Sequence, residues 1–395
     1  MHPLYTRLTP LTWAAPPETW SYTTLRKVKQ CPLAWQLGRS SFGDDGAPLP
    51  ERPAEATVTG KLVHDVLDAL SRGLVAAGLP ARGTPGFAAV VREVNPSARL
   101  AAGLVRSAAR VAAHPRGYGV RLYATAPELY ARVASLLQQH YPRLIAQHAG
   151  APPDAAPPRQ APSAEPTGAL DLLGLLHHQH VLSEIEVRHP TFALRGILDS
   201  VYRSAEGTVI ADYKTGNPYD DHVHQLLLYA LLWYRTTGDV PAAGEIVYYS
   251  HTRRITWTRD DLDELDADLE LELPAYAALL AHPPATARPG EHCGRCQTRA
   301  WCPVYWEELA RCPPEARLER GDLEIVAVQL RDEEVIVGAD PDGCAIVVVF
   351  GADAGRRPAE LVGAERVRIL GGRWSEDGES FAVGARAEVF GAAPR

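Results

Sequence analysis

The stretch that decides the fold is GTVIADYKTG, residues 207–216, a short apolar run that carries an aspartate and a lysine two positions apart. The run predicts a buried β-strand that ends at a glycine turn. Because alternate side chains of a strand point to the same side of its sheet, Asp212 and Lys214 are expected to share one face. An isolated Asp-x-Lys is usually only a charged pair on a solvated strand, so its meaning depends on the neighbouring sequence.

Two further strands are predicted just before this one, over 181–187 and 192–203. If 192–203 and 207–214 pair through a short turn, Asp199 lies beside Asp212. Two adjacent carboxylates repel each other and are costly without a cation between them. Hard oxygen ligands favour Mg²⁺ or Mn²⁺, and a nearby lysine can orient a metal-bound water and offset phosphate charge. These are the parts needed for the attack of water on a phosphodiester.

The rest of the chain predicts helices around these strands. The predicted helices are one from the N-cap Ser21 to Gln30, one starting at Pro32, and others over about 60–79, 97–148 with a break at Pro115, 219–236 and 260–281; a fourth strand is predicted over 245–252. Three strands followed by a helix and another strand predict a mixed sheet flanked by helices, which is an α/β fold.

The predicted organisation has a core domain with additions. Residues 1–20 form an N-terminal extension and 21–312 the α/β domain, which carries a helical insertion over about 80–148 and a Pro/Ala-rich linker over 150–169. Short β-prone runs separated by Gly and Asp predict a small antiparallel barrel or sandwich over 321–395. This tail is acidic, which favours contact with a protein.

Three cysteines cluster in CGRCQTRAWC, residues 293–302. The Cys-x-x-Cys spacing lets two thiolates reach one metal ion or cluster. Cys31 is the natural fourth ligand, since a proline follows it as one follows Cys302, and His292 is an alternative in a zinc site. Zinc and an iron–sulfur cluster both remain open on these residues. Either centre would be a structural clasp and not the catalyst.

Three more polar residues are candidates with weaker signals. His64 lies on a predicted helix, where a lone histidine is more often exposed or hydrogen-bonded than a metal ligand. Gln225 and Tyr229 share a face of the helix after the lysine strand, together with His222. By themselves they also suit the polar edge of a core helix.

Composition limits the function classes. The 395 residues are 46% hydrophobic and 22% charged, with a net charge of −8, so any nucleic-acid site is a local groove and not a basic coat. The groups Arg26, Lys27, Lys29 and Arg99, Arg106, Arg110 are candidates for it, although solvated helix faces explain them equally well. The absence of a signal peptide, of a membrane span and of a disulfide scaffold predicts a cytoplasmic protein.

Seven motifs stand in one order: Cys-Pro after a Ser-x-x-x-Leu helix start, G-x-x-x-H, a glutamate-bearing strand, G-x-x-D, D-Y-K-T-G, Q-x-x-x-Y and C-x-x-C-x₅-C-P. Over residues 21–310 this order resembles the RecB-like branch of the PD-(D/E)XK nuclease superfamily. It is most similar to members with an iron–sulfur cluster, namely the CRISPR-associated RecB-type exonucleases and the AddB nuclease domain. The resemblance implies a restriction-endonuclease-like core.

The resemblance also implies roles for residues. His64, Asp199 and Asp212 would bind Mg²⁺ or Mn²⁺, with the Tyr213 carbonyl as a further ligand, and Lys214 would be the catalytic lysine. Gln225 and Tyr229 match a motif beside the active site that contacts DNA. Glu186 matches the acidic strand position, for which Glu184 is an alternative. The four cysteines that would hold a 4Fe–4S cluster are Cys31, Cys293, Cys296 and Cys302.

The expected function is metal-dependent cleavage of DNA, on single strands or ends, in repair or antiviral defence, with an exonuclease favoured. The chain has no P-loop motif, so a helicase or other defence subunit would be a separate partner. One alternative is a catalytically silent iron–sulfur subunit that binds DNA or serves as a scaffold. A zinc-bound interaction protein is the other alternative.

Overall fold

A computed structural model describes residues 7–43, 46–148, 171–179, 181–214, 221–248, 251–313, 317 and 319–392 of the chain. The Pro/Ala-rich linker over 150–169 and the glycine turn at Gly216 lie outside these residues. Among the described residues, no helix combines the length and the apolar character that crossing a membrane requires.

The helices of the described residues follow the predicted order with additions. They are α1 (Tyr22–Gln30), α2 (Pro32–Arg39), α3 (Glu55–Ala76), α4 (Pro85–Val94), α5 (Pro96–Ala113), α6 (Ala126–His148), α7 (Leu172–Gln179), α8 (Asp221–Thr237), α9 (Arg259–Ala281) and α10 (Pro303–Arg311).

The strands form two sheets. The first contains β1 (Val181–Arg188), β2 (Arg195–Ser204), β3 (Gly207–Lys214), β4 (Ala243–Tyr248) and β5 (Thr252–Ile255). The second contains β6 (Asp322–Leu330), β7 (Val335–Ala339), β8 (Ala345–Phe350), β9 (Arg366–Leu370), β10 (Arg373–Trp374), β11 (Ser380–Val383) and β12 (Glu388–Ala392).

Helix α1 begins as predicted. The Ser21 hydroxyl accepts a hydrogen bond from the Thr24 amide at 3.3 Å and caps the helix. Pro32 then takes the first turn of α2, where its missing amide proton has no partner to lose. Cys31 therefore lies at the junction of two helices, and the backbone on both sides of it is fixed.

The first sheet is mixed, with the order β1-β2-β3-β4-β5. Strands β1, β2 and β3 form an antiparallel meander, and α8 crosses over to place β4 parallel to β3. Val209, Ile210 and Ala211 of β3 are fully buried, which explains why this strand is a continuous apolar run. The predicted α/β fold class is confirmed.

Helix α8 contributes buried apolar side chains to the core of the first sheet. Residues 228–234 are buried without interruption, so this part of the helix is apolar on all sides, as expected of a helix enclosed by other elements. It packs between the sheet and α9, whose N-terminus has a capping box made by Thr258 and Asp261.

Helices α3 to α6 form a second layer with its own apolar core. Helix α3 packs against α5 and α6, and α6 reaches β4 of the first sheet. The helical insertion is therefore confirmed as helical, but α4 adds a helix at 85–94 that the sequence did not predict. Helix α3 also starts at Glu55, which is earlier than the predicted 60.

The second sheet has the order β10-β11-β8-β7-β6-β9-β12. Its C-terminal all-β character is confirmed. The expectation of a purely antiparallel arrangement is wrong, because β11 pairs with β8 in parallel. Leu370 and Phe390 of this sheet share an apolar cluster with Leu37 of α2 and with Trp301 and Trp306 near the cysteines. The second sheet therefore packs against the segment that carries the three clustered cysteines.

Other differences have local causes. The strand predicted over 245–252 is two antiparallel strands, β4 and β5, and no glycine or proline marks the reversal between them. Helix α7 was not predicted because LLGLLHHQ has no helical alternation of apolar and polar residues. Helix α10 was not predicted either, although Pro303 at its first turn is a typical start signal.

Candidate active site

Two carboxylates meet where β2 and β3 lie side by side. Ser200 of β2 pairs with Ala211 of β3, so the next residues along each strand, Asp199 and Asp212, face each other. The Tyr213 amide donates a hydrogen bond of 2.8 Å to Asp199 Oδ2. Asp212 is 2% exposed. The sequence-based pairing of these strands therefore brings the two carboxylates together.

Both carboxyl groups resist ionisation. Burial raises the pKa of Asp199 to about 6, partly countered by the hydrogen bond from Tyr213. Burial and then the charge of Asp199 raise the pKa of Asp212, also to about 6. Two adjacent acids whose ionisation is disfavoured form a site that a cation stabilises.

Lys214 is held between a carboxylate and an amide. Its Nζ lies 2.7 Å from Asp212 Oδ2 and donates to Gln225 Oε1 at 2.9 Å. Gln225 Nε2 in turn donates to the Tyr229 hydroxyl at 2.7 Å. This chain of contacts links the lysine strand to α8 and fixes the direction in which the ammonium group points.

A glycine lets Tyr229 approach the carboxylates. A Cβ atom at Gly196 of β2 would lie 2.8 Å from Tyr229 Cε1 and 3.0 Å from Leu232 Cδ1. Any side chain at position 196 would push the tyrosine ring away from the strand. Burial raises the pKa of the Tyr229 hydroxyl, so it remains a neutral hydrogen-bonding group.

Two histidines lie close enough to Lys214 for its charge to affect their pKa values. Burial and then Lys214 lower the pKa of His64 on α3, so its imidazole is neutral and has a free lone pair at neutral pH. Burial and then Lys214 also lower the pKa of His222 on α8, whose Nδ1 lies 2.9 Å from the Tyr248 hydroxyl. The sequence places His222 on the helix face that carries Gln225 and Tyr229, but it predicts no role for it.

The glutamate nearest the carboxylates is Glu184, and Glu186 is not brought to them. The pairs on either side in the β1–β2 register place Glu184 opposite Asp199, and its charge contributes to the raised pKa of Asp199. The Glu186 carboxylate instead contacts Arg188 at 2.6 Å and Arg195 at 3.5 Å. The structure thus places Glu184, the alternative, beside Asp199, while a site role for Glu186 stays a prediction.

Helix α6 of the insertion also contacts β3. The Tyr213 hydroxyl lies 2.5 Å from His140 Nδ1, and the two rings pack edge to face. No sequence signal links these residues, since they are 73 positions apart.

The donor chemistry of the carboxylate site fits Mg²⁺ or Mn²⁺. It offers a buried and a half-buried carboxylate and a neutral imidazole, which are oxygen and nitrogen donors. Within the parts of the chain that the structure describes, however, no three His, Cys, Asp or Glu side chains converge closely enough to form a metal site. His64 lies near Asp212 without completing such a group.

The four predicted cysteines line one small cavity together with His292. Among the described residues, no two cysteines are joined by a disulfide. The Arg288 amide donates to Cys31 Sγ at 3.4 Å. Burial raises the pKa of Cys302 to about 11, and the other three thiols of the cavity act in the same direction. The thiols share one space, although they do not form a ready metal site in the described residues.

One buried carboxylate connects this cavity to the second sheet. Asp322 of β6 accepts hydrogen bonds from Arg299 Nε at 2.8 Å, from the Tyr305 hydroxyl at 2.6 Å and from the Gly371 amide at 2.8 Å. Arg299 lies between two of the cysteines and Tyr305 follows the last of the three. The sequence does not predict this contact, because it joins two regions that were predicted as separate domains.

The model of the PD-(D/E)XK nuclease superfamily matches residues 19–303 of this chain. A solved structure titled "Crystal structure of SSO0001" is 18% identical in sequence, with a TM-score of 0.23. That match covers 35% of this chain and 68% of the other. A search of the curated proteins gives no match.

Proposed function

This chain belongs to the PD-(D/E)XK nuclease superfamily, and from its site we propose that it cleaves DNA with a bound divalent metal ion. The observation that carries the proposal is the position of Lys214, which contacts Asp212 and Gln225 while Asp199 faces Asp212 from the next strand. The superfamily match implies a metal-dependent nuclease. The substrate and the residue roles are our proposals.

Each side chain has a task that its contacts support. Asp199, Asp212 and His64 would hold Mg²⁺ or Mn²⁺. When bound, the ion supplies a water of lowered pKa and neutralises phosphate charge. Lys214 donates to a phosphate oxygen as negative charge develops on it. Gln225 keeps the ammonium group in place, and Tyr229 closes the site from the α8 side.

Glu184 lies beside this set, and we assign it the place first given to Glu186. It is opposite Asp199 on β1, where its carboxylate would add a further oxygen donor beside the ion. The remaining acid, Glu186, is already engaged with two arginines.

Cleavage is expected to need a divalent ion and to rise with pH through about 6 at low metal concentration, because both aspartates must ionise to bind the ion. Higher Mg²⁺ or Mn²⁺ concentrations should move the midpoint to lower pH, since metal binding competes with protons. The measurement is the rate of release from a labelled single-stranded oligonucleotide, with EDTA as control. A pH-independent, EDTA-resistant rate would contradict the proposal. DNA binding without cleavage at any metal concentration would support a silent scaffold.

The same pKa shifts predict an effect on stability. Because the folded state raises both pKa values above the ordinary 3.8, the metal-free protein loses stability as pH rises from about 4 through about 6. The Asp212→Asn variant should therefore be more heat-stable than the metal-free wild type at pH 7, which thermal denaturation in EDTA measures.

We also propose that the four cysteines bind a 4Fe–4S cluster. Four thiols around one cavity are the ligand set of such a cluster, and the amide that donates to Cys31 Sγ is the type of contact that tunes its potential. The resemblance to RecB-like nucleases with an iron–sulfur cluster supports this assignment and not zinc. The cluster would connect α1 and α2 to the segment that follows α9.

Protein purified without oxygen is expected to be brown and to contain about four iron and four sulfide ions per chain. The Cys302→Ser variant should lose most of the iron and the sulfide, because one of the four ligands is missing. Cys344→Ser is the matched control, since Cys344 is exposed and outside the cavity. A colourless protein with zinc in place of iron would contradict the assignment.

The finer expectations rest on the resemblance. We propose single strands or ends as substrate and exonucleolytic cleavage, in repair or antiviral defence. A helicase or another defence subunit would be the partner, as the resemblance implies.

A further inference from the structure

An open groove of about 670 Å³ lies between α1, α2, residues 49–51 and the cysteine loop. Its charged lining consists of five basic and two acidic side chains, in a chain whose net charge is −8. These are Arg26, Lys27, Arg39, Arg116 and Arg295 on one hand, and Glu51 and Glu291 on the other. Basic side chains therefore outnumber acidic ones in this lining, although Arg26, Lys27 and Arg116 each pair with a carboxylate. The groove is distinct from the carboxylate site.

One end of the groove points towards the carboxylate site. Arg26 contacts the Asp221 carboxylate at the start of α8 at 2.8 Å. The next residue, His222, has its pKa lowered by burial and by the nearby charges of Lys214 and Arg26. Arg26 thus connects the groove to the first turn of α8, where His222 lies near Lys214.

The groove wall is built and not merely exposed. Arg116 is 2% exposed and donates to the Glu388 carboxylate at 2.9 and 3.1 Å. Its Nη1 also donates to the Pro50 carbonyl at 3.2 Å, which fixes the segment that carries Glu51. The apolar side chains of Trp35 and Leu49 line the groove beside these charges.

The charges at the rim are available to a ligand. Arg39 and Arg295 are exposed, and no acidic side chain of the described residues forms an ion pair with them. Lys27 is paired with Glu51 at the surface. Lys29 is not part of the groove, because it pairs with Glu272 on α9. The helix α5 arginines are absent from its lining as well.

We propose that this groove binds the backbone of a single-stranded DNA segment that continues from the active site, and that Glu51 competes with its phosphates for Lys27. The inference rests on the proposed nuclease function and gives the substrate a path. Arginine and lysine side chains neutralise phosphates, while apolar walls accept bases. A cavity of this size suits one or two nucleotides and not a duplex.

The test uses the full chain with Lys214→Ala, so that the DNA stays intact, and a fluorescein-labelled single strand followed by anisotropy. The pair Arg39→Glu and Arg295→Glu should weaken binding about tenfold and lower the salt slope by about 0.7 for each phosphate that is no longer neutralised. Glu51→Gln should instead tighten binding about two- to fivefold, the scale of an exposed ion pair. A gain in affinity cannot result from damage to the fold.

Matched controls are Arg106→Glu on α5 and Glu93→Gln on α4, which lie outside the groove. Unchanged affinity in the groove variants, with cleavage by the wild type, would overturn the groove and leave the nuclease function standing. If the affinity changes as expected but the wild type never cleaves, the groove stands and the nuclease function is overturned. Tighter binding of a duplex, or of an RNA of the same sequence, would overturn the assignment to single-stranded DNA.

Discussion

The Lys214→Ala variant is expected to cleave DNA about 10²–10³-fold more slowly than the wild type, the loss that follows removal of one preorganised charge from an active site. The ammonium group is held at 2.7 Å from Asp212 Oδ2 and 2.9 Å from Gln225 Oε1, so it is directed before the substrate arrives. Single-turnover cleavage of a labelled oligonucleotide at saturating Mg²⁺ measures this effect on the chemical step.

The matched control is Lys61→Ala. Lys61 lies on α3, is 71% exposed in its side chain and pairs only with Asp65 among the described residues. Its loss should leave the rate unchanged. A Lys214→Ala protein that cleaves at the rate of the wild type would remove the lysine from the mechanism. Gln225→Ala should give a smaller loss than Lys214→Ala, because the glutamine acts by positioning the lysine.

The Asp322→Ala variant is expected to lose about 3–5 kcal/mol of unfolding free energy, the usual result of leaving a buried charge without its partner. The side chain of Asp322 is 1% exposed and that of its partner Arg299 is 19% exposed. The substitution also leaves the Tyr305 hydroxyl and the Gly371 amide without their acceptor. Urea denaturation at pH 7 measures the change.

Asp342→Ala provides the comparison. Asp342 also pairs with an arginine of the chain, Arg317 at 3.0 Å, but its side chain is 55% exposed. Exposed pairs contribute about 0–1 kcal/mol, so this variant should unfold almost as the wild type does. Equal losses in the two variants would mean that the contacts of Asp322 do not connect the sheet to the cysteine loop.

Local sequence predicted the centre of the fold well. The pairing of Asp199 with Asp212 follows from two apolar strands separated by a turn too short to allow another register. Gln225 and Tyr229 follow from helical spacing on α8. Each of these predictions uses residues that are close in the chain and whose periodicity is strong.

The choice between Glu184 and Glu186 was beyond such reasoning. Both glutamates lie on one side of β1, and they differ in what their carboxylates contact. Glu184 lies opposite Asp199. The Glu186 carboxylate instead pairs with Arg188 and Arg195. Glu184 also has a φ of 52°, a left-handed conformation that its side chain does not predict.

Contacts between segments that are far apart in the chain could not be predicted from the sequence either. Arg299 and Asp322 lie in two regions that were predicted as separate domains, 21–312 and 321–395, so the second sheet was predicted as an independent unit. In the structure it shares an apolar cluster with α2 and the residues around the cysteines. His140 and Tyr213 are a second example, because only the packing of the insertion brings them together.

The buried pair of Arg116 and Glu388 has a consequence for the order of events during synthesis. Glu388 is made long after the carboxylates, the lysine and the cysteines, yet it fixes the arginine that holds residue 50 in place. During synthesis, the carboxylates, Lys214 and the cysteines are therefore all made before the residue that fixes the groove wall. The groove that we propose as the DNA-binding surface thus forms after the residues of the candidate active site have been made.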